Sequence, residues 1–489
     1  MSQSNCSQDN QIRLHMRILS DFHDDSATVW LVRSTTWAQR LASLLLLSIG
    51  VAIPLAWVTG GYMNMDLTEM MGFLVNDGWC ESDEALFGQH CFGDIAIVRP
   101  LLDAPTLWDQ SNSFTTQAYP PTGWVVSIGV YLIFNSVGGL KLATTVFLTI
   151  ALIASLAPAM WVARGNRIER ASIAFLSIGL GAAPILLVLD RGNSTALLVP
   201  PLLAFAIGLF RDKSSWIVAG AVASTMLKPQ MILLVVALIA LRKYRLASVT
   251  TLLSAVGILL SFLRWPGNRV QNFANWVRNR LSYSDYGPLN IAYPYNLSVT
   301  RSLITLSEMS GISRVIGDEN WGHVINLLTR FSALPGILVL ISAVLILVAK
   351  RKSVDPLTAL FVSVSLIIIV PGTSFSYYLV LFLPVAAMIL KDPRSSLRDE
   401  FTQGDWRGVL DNRTIPISPS SPVRSWTSTL VIVFVLCLWV IPLPSSLVPG
   451  FTPIDHIGII QVFWGPVILV GVATVLVSLL FAKSDVKKS

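Results

Sequence analysis

The first long apolar stretch reads LASLLLLSIGVAIPLAWVT from Leu41 to Thr59, and the polar sequence GGYMNMD continues it to Asp66. The apolar part is close to the roughly 20 residues that a helix needs to cross a membrane. It ends without a small-residue cleavage site, so it does not resemble a signal peptide that is removed. We interpret it as a retained membrane helix, with Asp66 a few residues beyond the membrane surface.

The loop that follows, residues 61–122, is acidic in a chain that is otherwise basic. Loops poor in Lys and Arg are those that cross to the extracytoplasmic side. We therefore expect the first helix to run outward and the loop to lie outside. Against the single basic residue Arg99 it carries the acids Asp66, Glu69, Asp77, Glu81, Asp83, Glu84, Asp94, Asp103 and Asp109.

Composition places the chain among integral membrane proteins. Of its 489 residues, 53% are hydrophobic and only 13% charged, and the mean hydropathy is +0.64, which no water-soluble class matches. The net charge of +7 is spread over short connections between apolar runs. This distribution is explained by membrane orientation, so we expect a lipid bilayer and no nucleic acid among the partners.

The order of apolar runs and basic clusters predicts an all-α integral membrane protein with about twelve membrane-inserted helices and one juxtamembrane helix. Both termini are expected in the cytoplasm, in the cell (plasma) membrane. The predicted parts are a cytoplasmic tail (1–38), a multi-span catalytic domain (39–390) with external loops at 61–122 and 264–330, a cytoplasmic loop (391–425) and a two-helix membrane segment (426–489).

Two features follow if all the basic clusters lie on the cytoplasmic side, because the chain between any two of them must then cross the membrane an even number of times. Residues 123–137 and 140–162 are separate apolar runs, and only one can cross if the cluster at 164–170 is cytoplasmic. The shorter run, 123–137, is therefore predicted to be juxtamembrane or re-entrant.

Residues 214–241 lie between two basic clusters and would form about 42 Å of helix, too little for two crossings of a core about 30 Å thick. They are predicted to form a hairpin with Lys228 and Pro229 at its tip.

Cysteine and histidine positions point to a disulfide and to no metal. Cys80 and Cys91 both lie in the external loop, where an oxidising compartment would allow them to pair, although two free thiols remain the alternative. The five histidines are isolated in sequence, and no metal-ligand spacing is present. We therefore expect neither a metal nor another cofactor.

Several short motifs occur in an order that resembles glycosyltransferase family 87. These are Met65 to Glu69, Phe114 to Pro121, Arg191-Gly192-Asn193, Lys228-Pro229, Asn296-Leu297-Ser298, and Ser374 to Leu379 continuing to Pro384. The family has the C-type glycosyltransferase fold, uses polyprenyl-phosphate sugars as donors, and includes mycobacterial mannosyl- and arabinofuranosyltransferases. Two departures are the turn at Arg191-Gly192-Asn193, where the family has Gly-Gln-x-Asn, and Tyr377-Tyr378, where paired histidines are frequent.

The resemblance implies transfer of a mannose- or arabinofuranose-like sugar from a polyprenyl-phosphate donor to an extracytoplasmic glycan or glycolipid acceptor. Such an inverting displacement needs a general base for the acceptor hydroxyl and cations for the leaving phosphate. Asp66 is the expected base, and Lys228 and Arg191 are the expected phosphate ligands. The expected substrate-binding residues are Tyr119, Asn193, Asn296, Ser298, Tyr377, Tyr378 and His323.

Several of these residues have a simpler interpretation. Asp66 could cap a helix that begins near residue 67, and Lys228 could extend its ammonium group to the outer headgroups. Arg191 could pair with Asp190, and His323 could be a solvated loop residue. The external aromatic residues could form an interfacial belt instead of stacking on sugar.

A transporter or flippase of a lipid-linked sugar is the alternative function, since twelve helices with both termini inside suit it equally. Transporters of this kind usually have internal repeats and midplane sites on discontinuous helices. This sequence has no convincing repeat and places most of its polar residues in the two external loops. That distribution favours chemistry at the membrane surface.

Overall fold

The computed structural model describes residues 86–87, 90–91, 108, 119–164, 174–179, 182–190, 192–265, 267–282, 296–391, 427, 430–435 and 463–481. This part of the chain is mostly helical, and its two short strands, β1 (Leu86–Phe87) and β2 (His90–Cys91), pair antiparallel in the loop that is predicted to be external. The helices are α1 (Pro121–Ala163), α2 (Ala183–Asp190), α3 (Val199–Arg211), α4 (Ser214–Leu227), α5 (Val235–Ala240), α6 (Tyr244–Leu263), α7 (Arg269–Ser282), α8 (Val299–Met309), α9 (Ile312–Ile316), α10 (Asp318–Arg330), α11 (Ala333–Ala349), α12 (Pro356–Ile369), α13 (Leu383–Leu390) and α14 (Trp464–Phe481). Three 3₁₀ helices, Ser194–Leu198, Pro229–Leu234 and Ser376–Phe382, directly precede α3, α5 and α13.

Several helices have the length and composition of membrane spans. Among the described residues, four are long and apolar enough to cross a membrane: α1, Ser194–Arg211, α6 and α14. A fifth candidate is α10 with α11, which are bent by 67° at the break between them. The helical, membrane-type fold predicted from the sequence is thus present, whereas the number of twelve inserted helices stays a prediction.

The first described helix is broken where the two apolar runs meet. Within α1, Gly138 and Gly139 leave helical geometry, and Gly139 has a φ of +70°. Glycine adopts this conformation without the steric cost that a Cβ would impose. The break separates the predicted runs 123–137 and 140–162, and the juxtamembrane position of the first run stays a prediction.

Residues 214–241 return to where they began. Helix α4 ends at Leu227, the 3₁₀ helix starts at Pro229, and α5 ends at Ala240. The ammonium group of Lys243 binds the carboxylate of Asp212, so the residues on either side of this segment are in direct contact. This is the geometry that a hairpin with Lys228 at its tip requires.

Basic residues join other helix ends as well. Lys391, just after α13, donates hydrogen bonds to the carbonyl oxygens of Trp161 at 3.2 Å and Arg164 at 2.8 Å, at the end of α1. Arg351, just after α11, donates to the hydroxyl of Tyr244 at 3.4 Å, at the start of α6. These cations belong to the clusters that the sequence predicts to be cytoplasmic, and each joins the ends of two helices.

The core is built around α12, in which every residue from Leu357 to Ile369 is buried. A helix that is apolar on all sides is stable only when other helices surround it or lipid does. Outer helices instead expose apolar side chains, such as Leu260 on α6 and Leu345 on α11. An apolar surface of this kind suits contact with lipid chains.

Candidate functional site

The site is centred on Lys228, whose side chain is fully buried. Lys228 lies between α4 and the 3₁₀ helix that Pro229 begins, in an extended conformation with φ −139° and ψ 113°. A residue before proline is disfavoured in helical geometry, and proline itself is well suited to the first helical position. The Lys-Pro pair therefore interrupts the helix and directs the lysine side chain into the protein.

Among the described residues, four oxygens from three distant parts of the chain surround the ammonium nitrogen. Lys228 Nζ donates to Asn193 Oδ1 at 2.9 Å and to Thr195 Oγ1 at 2.6 Å. The hydroxyl oxygens of Tyr119 and Tyr378 lie at 3.0 Å and 3.3 Å. An ammonium group has three donors, so four oxygens at hydrogen-bonding distance saturate it. The Tyr378 contact is the longest, and it is the one most readily exchanged for a ligand oxygen.

Three tyrosine rings also face this ammonium group. Their centroids lie 4.7 Å from Lys228 Nζ for Tyr119 and Tyr378, and 5.4 Å for Tyr377. The Tyr377 and Tyr378 rings are 4.9 Å apart. A cation over an aromatic face gains electrostatic energy, and the gain is larger when water is excluded. These rings help to keep a charged lysine inside the protein.

Asn193 is positioned by a local turn that continues into α3. Gly192, with a φ of +61°, precedes it, and its Oδ1 accepts from the backbone N–H of Thr195 at 2.8 Å and from the Thr195 hydroxyl. Asparagine caps a helix in this way because its side chain accepts from backbone N–H groups of the first turn. The same oxygen therefore caps the 3₁₀ helix and accepts from Lys228.

Tyr119 is fixed from its backbone side by a buried tryptophan. The indole N–H of Trp108, which is fully buried, donates to the carbonyl oxygen of Tyr119 at 3.0 Å. The carbonyl oxygen of Trp108 in turn accepts from Asn279 Nδ2 at 3.1 Å. The Tyr119 ring also packs edge-on against Trp124, with centroids 5.5 Å apart. Tyr119 thus connects α7 and the start of α1 to Lys228.

Asn296 and Ser298 contact the backbone in the structure. Asn296 Oδ1 accepts from the N–H groups of Ser298 and Ser374, each at 3.0 Å, and Nδ2 donates to the Gly372 carbonyl oxygen at 3.3 Å. The Ser298 hydroxyl caps α8 by accepting from the N–H of Arg301. These contacts hold the segment that leads to Tyr377 and Tyr378, and direct substrate binding by either residue stays a prediction.

The other predicted site residues fall into two groups. His323 is exposed on α10, and Cys91 lies in β2 opposite Leu86. Asp66, Arg191 and Cys80 lie outside the described residues. The predicted base, the second predicted phosphate ligand and the predicted disulfide therefore stay predictions.

Sequence reasoning missed Thr195 and Trp108. Thr195 has a local signal, because Asn193-x-Thr195 is the spacing at which an asparagine side chain caps a following turn. Trp108 has no such signal, since its partners Tyr119 and Asn279 are set by the tertiary structure. Within the described ranges, no group of three or more His, Cys, Asp or Glu side chains could hold a metal ion.

Comparison with known proteins identifies no relative of this chain. No protein-family model, no curated protein and no solved structure matches this chain. A buried ammonium group placed among hydroxyl and amide oxygens and tyrosine rings can form a charge-assisted hydrogen bond to an anionic group such as a phosphate.

Proposed function

We propose that this protein is a membrane glycosyltransferase. It would move a mannose- or arabinofuranose-like sugar, with inversion, from a polyprenyl-phosphate donor to an extracytoplasmic glycan or glycolipid. The observation that carries the proposal is the fully buried Lys228, surrounded by oxygens of Tyr119, Asn193, Thr195 and Tyr378. In this proposal the chain has the C-type glycosyltransferase fold and is related to family 87, which its motif order resembles.

The chemistry of the donor explains why such a lysine would be useful. When the sugar leaves, negative charge develops on the bridging phosphate oxygen, and a preorganised cation in a water-poor site stabilises that charge strongly. Lys228 is held by oxygens of Tyr119, Asn193 and Thr195, so exchange of the longer Tyr378 contact would be the main rearrangement on binding. Removal of its charge should therefore affect both the binding of the donor and its activation.

Asp66 is the proposed general base. It follows the first apolar segment by only a few residues, which would hold its carboxylate near the membrane surface where a lipid donor and an external acceptor meet. Asp66 would take the proton of the acceptor hydroxyl while the phosphate departs with the electron pair of the glycosidic bond. Products would be the lengthened acceptor and a polyprenyl phosphate.

The proposed location is the plasma membrane, with both termini cytoplasmic and the site facing outward. The contacts of Lys243, Arg351 and Lys391 support this orientation, since each joins helix ends that the sequence places in the cytoplasm. Lys228 is separated from Lys213 by α4, about 21 Å of helix at 1.5 Å per residue. The site would then lie toward the outer side.

One observation favours the alternative, a transporter or flippase of a lipid-linked sugar. The chain passes from 3₁₀ to α geometry after Asn193, after Lys228 and after Phe375, and all three places meet at the site. Discontinuous helices around a charged residue are typical of transporter binding sites. Both functions would require the same lipid phosphate to bind at Lys228.

A single reconstituted system separates the two functions. Purified protein in liposomes would receive a radiolabelled polyprenyl-phosphate sugar, and transfer to a panel of oligosaccharide acceptors would be measured beside movement of the lipid between leaflets. The proposal predicts transfer, with turnover reduced about 10² to 10⁴-fold by Asp66→Asn. Lipid movement without transfer, unaffected by Asp66→Asn, would establish the transporter.

The neighbouring carboxylate provides the matched control. Glu69→Gln changes a similar group three residues further along the chain. It should leave most of the turnover intact. If Glu69→Gln abolishes transfer while Asp66→Asn retains more than about a tenth of the wild-type rate, Asp66 is not the base.

A further inference from the structure

Arg280 lies close to the Lys228 site, although it belongs to the second external loop. It is in the last turn of α7, is partly buried, and its Nη2 donates to Oε1 of Gln230 at 3.2 Å. Gln230 follows Lys228 by two residues, in the first turn of the 3₁₀ helix. The guanidinium group is thus held beside the segment that carries the buried lysine.

The residue before Arg280 joins α7 to the site by a second route, through Trp108 and Tyr119. Asn279 is fully buried and donates to the carbonyl oxygen of Trp108, whose indole N–H donates to the carbonyl oxygen of Tyr119. Tyr119 accepts from Lys228. Two consecutive residues of α7 therefore connect to Lys228 through separate routes, so the position of Arg280 relative to the lysine is fixed.

Arg280 and Gln230 bond to each other, but among the described residues Arg280 has no anionic partner and Gln230 Nε2 has no acceptor. In the described part of the chain, the ion pairs are Lys243 with Asp212 and Arg301 with Glu308, and neither includes Arg280. Its hydrogen-bond partner there is a neutral amide. Gln230 Nε2 is buried and has no acceptor among the described residues. Since buried donors are normally satisfied, Gln230 Nε2 requires a further acceptor, and the positive charge of Arg280 beside it favours an anionic one.

We propose that Arg280 and Gln230 are binding residues for a phosphate oxyanion, acting together with Lys228. The inference rests on the proposed function, in which this phosphate belongs to the polyprenyl donor. Arginine suits the role because its planar guanidinium group keeps its charge and offers several donors to phosphate oxygens. The same chemistry would bind the phosphate of a bulk phospholipid headgroup, so the experiment must distinguish the two sources.

A simpler role for Arg280 is structural. A cation in the last turn of a helix is stabilised by the helix dipole and can satisfy terminal carbonyl groups. In that case the bond to Gln230 would only attach α7 to the rest of the protein. Gln230→Glu distinguishes the two roles, because a carboxylate would pair with Arg280 and strengthen the attachment of α7. If the role is structural, phosphate affinity should not fall. If Arg280 binds phosphate, the affinity should fall, because the carboxylate neutralises the charge of Arg280.

The test measures the affinity of the purified full-length protein for polyprenyl monophosphate by native mass spectrometry. The variants are Arg280→Gln, Arg280→Lys and Gln230→Glu. Arg269→Gln is the matched control, since Arg269 is an exposed arginine in the first turn of the same helix. Lys228→Ala is measured in parallel to test the proposed function itself. Thermal unfolding and size-exclusion profiles verify that each variant is folded.

We expect Arg280→Gln and Gln230→Glu to weaken binding by about tenfold or more, Arg280→Lys to weaken it less, and Arg269→Gln to leave it unchanged. Wild-type affinity in both Arg280→Gln and Gln230→Glu would overturn this inference, while a loss in Lys228→Ala would still support the proposed function. Failure of the wild type to bind would overturn both. Competition with phosphatidylglycerol distinguishes the two sources of phosphate. If the variants lose affinity only for phosphatidylglycerol and not for polyprenyl monophosphate, the donor assignment is overturned.

Discussion

The Nζ atom of Lys228 lies 2.9 Å from Oδ1 of Asn193, although the two residues are 35 positions apart. Each stands at an interruption between helices, Asn193 before the 3₁₀ helix that leads into α3 and Lys228 after α4. Because α3 and α4 are consecutive helices that pack together, the contact closes the end of this pair. The amide orients the ammonium group without neutralising it, which is what binding of a phosphate requires.

Asn193→Asp should therefore separate stability from binding. A carboxylate at this position would form an ion pair with Lys228, and the folded protein should remain at least as stable as the wild type. The affinity for a polyprenyl-phosphate sugar should fall by about tenfold or more, because the carboxylate competes with the phosphate for the same charge. Asn193→Ala is the control, and it should lower the free energy of unfolding by roughly 1 to 3 kcal/mol. Undiminished affinity in Asn193→Asp would contradict this role.

The two tyrosine hydroxyls should differ in their effects on stability. Tyr119→Phe removes an acceptor 3.0 Å from Lys228 Nζ, and we expect a loss of roughly 1 kcal/mol. Tyr378→Phe removes the contact at 3.3 Å and should cost less, since three other oxygens remain for three donors. Thermal unfolding of both variants in the same detergent measures the difference. An equal or larger loss in Tyr378→Phe would show that its hydroxyl is not the exchangeable partner.

Gly123 allows the start of α1 to approach the residue before Lys228. A Cβ atom there would lie 2.7 Å from the carbonyl oxygen of Leu227, whereas a Cβ at Gly129 would have no atom within 4 Å. Gly123→Ala should push α1 away, lower the melting temperature and weaken donor binding. Gly129→Ala should be neutral or stabilising by up to about 1 kcal/mol, through helix propensity. Similar melting temperatures for the two variants would contradict the close approach.

The interruptions of the helices could be predicted from the sequence because their causes are local. The apolar runs on either side of Gly138 and Gly139 stop there, and the backbone leaves helical geometry at the same residues. The basic clusters around 213 and 243 predict that the chain between them returns, and the contact of Lys243 with Asp212 agrees. Hydropathy and charge are sufficient for both features.

The composition of the site could be predicted only in part. The motifs predict Tyr119, Asn193, Lys228 and Tyr378 as ligands of the substrate, and the structure places polar atoms of the other three around Lys228 Nζ. For Asn296 and Ser298 the structure gives hydrogen bonds to backbone groups, and their contact with substrate stays a prediction. A motif does not distinguish a ligand from a residue that supports one, since both depend on tertiary contacts.

The membrane orientation can be tested at Asn166, which follows α1 in the basic cluster. Asn166→Cys, in a protein whose four native cysteines are replaced by serine, should not react with a membrane-impermeant maleimide added to intact cells. It should react after the cells are opened, because the cluster is expected to be cytoplasmic. A cysteine at the exposed position 323 is the matched external control. Labelling at 166 from outside would invert the proposed topology.

The central claim is that the charge of Lys228 binds the phosphate of a polyprenyl-phosphate sugar, and the affinity of position 228 variants for that donor tests it most directly. Lys228→Met keeps the volume of the buried side chain without its charge, Lys228→Ala removes both, and Lys228→Arg keeps the charge. We predict that Met and Ala weaken donor binding by about tenfold or more while Arg retains most of it, with all three variants folded. Wild-type donor affinity in Lys228→Met and Lys228→Ala would contradict the account.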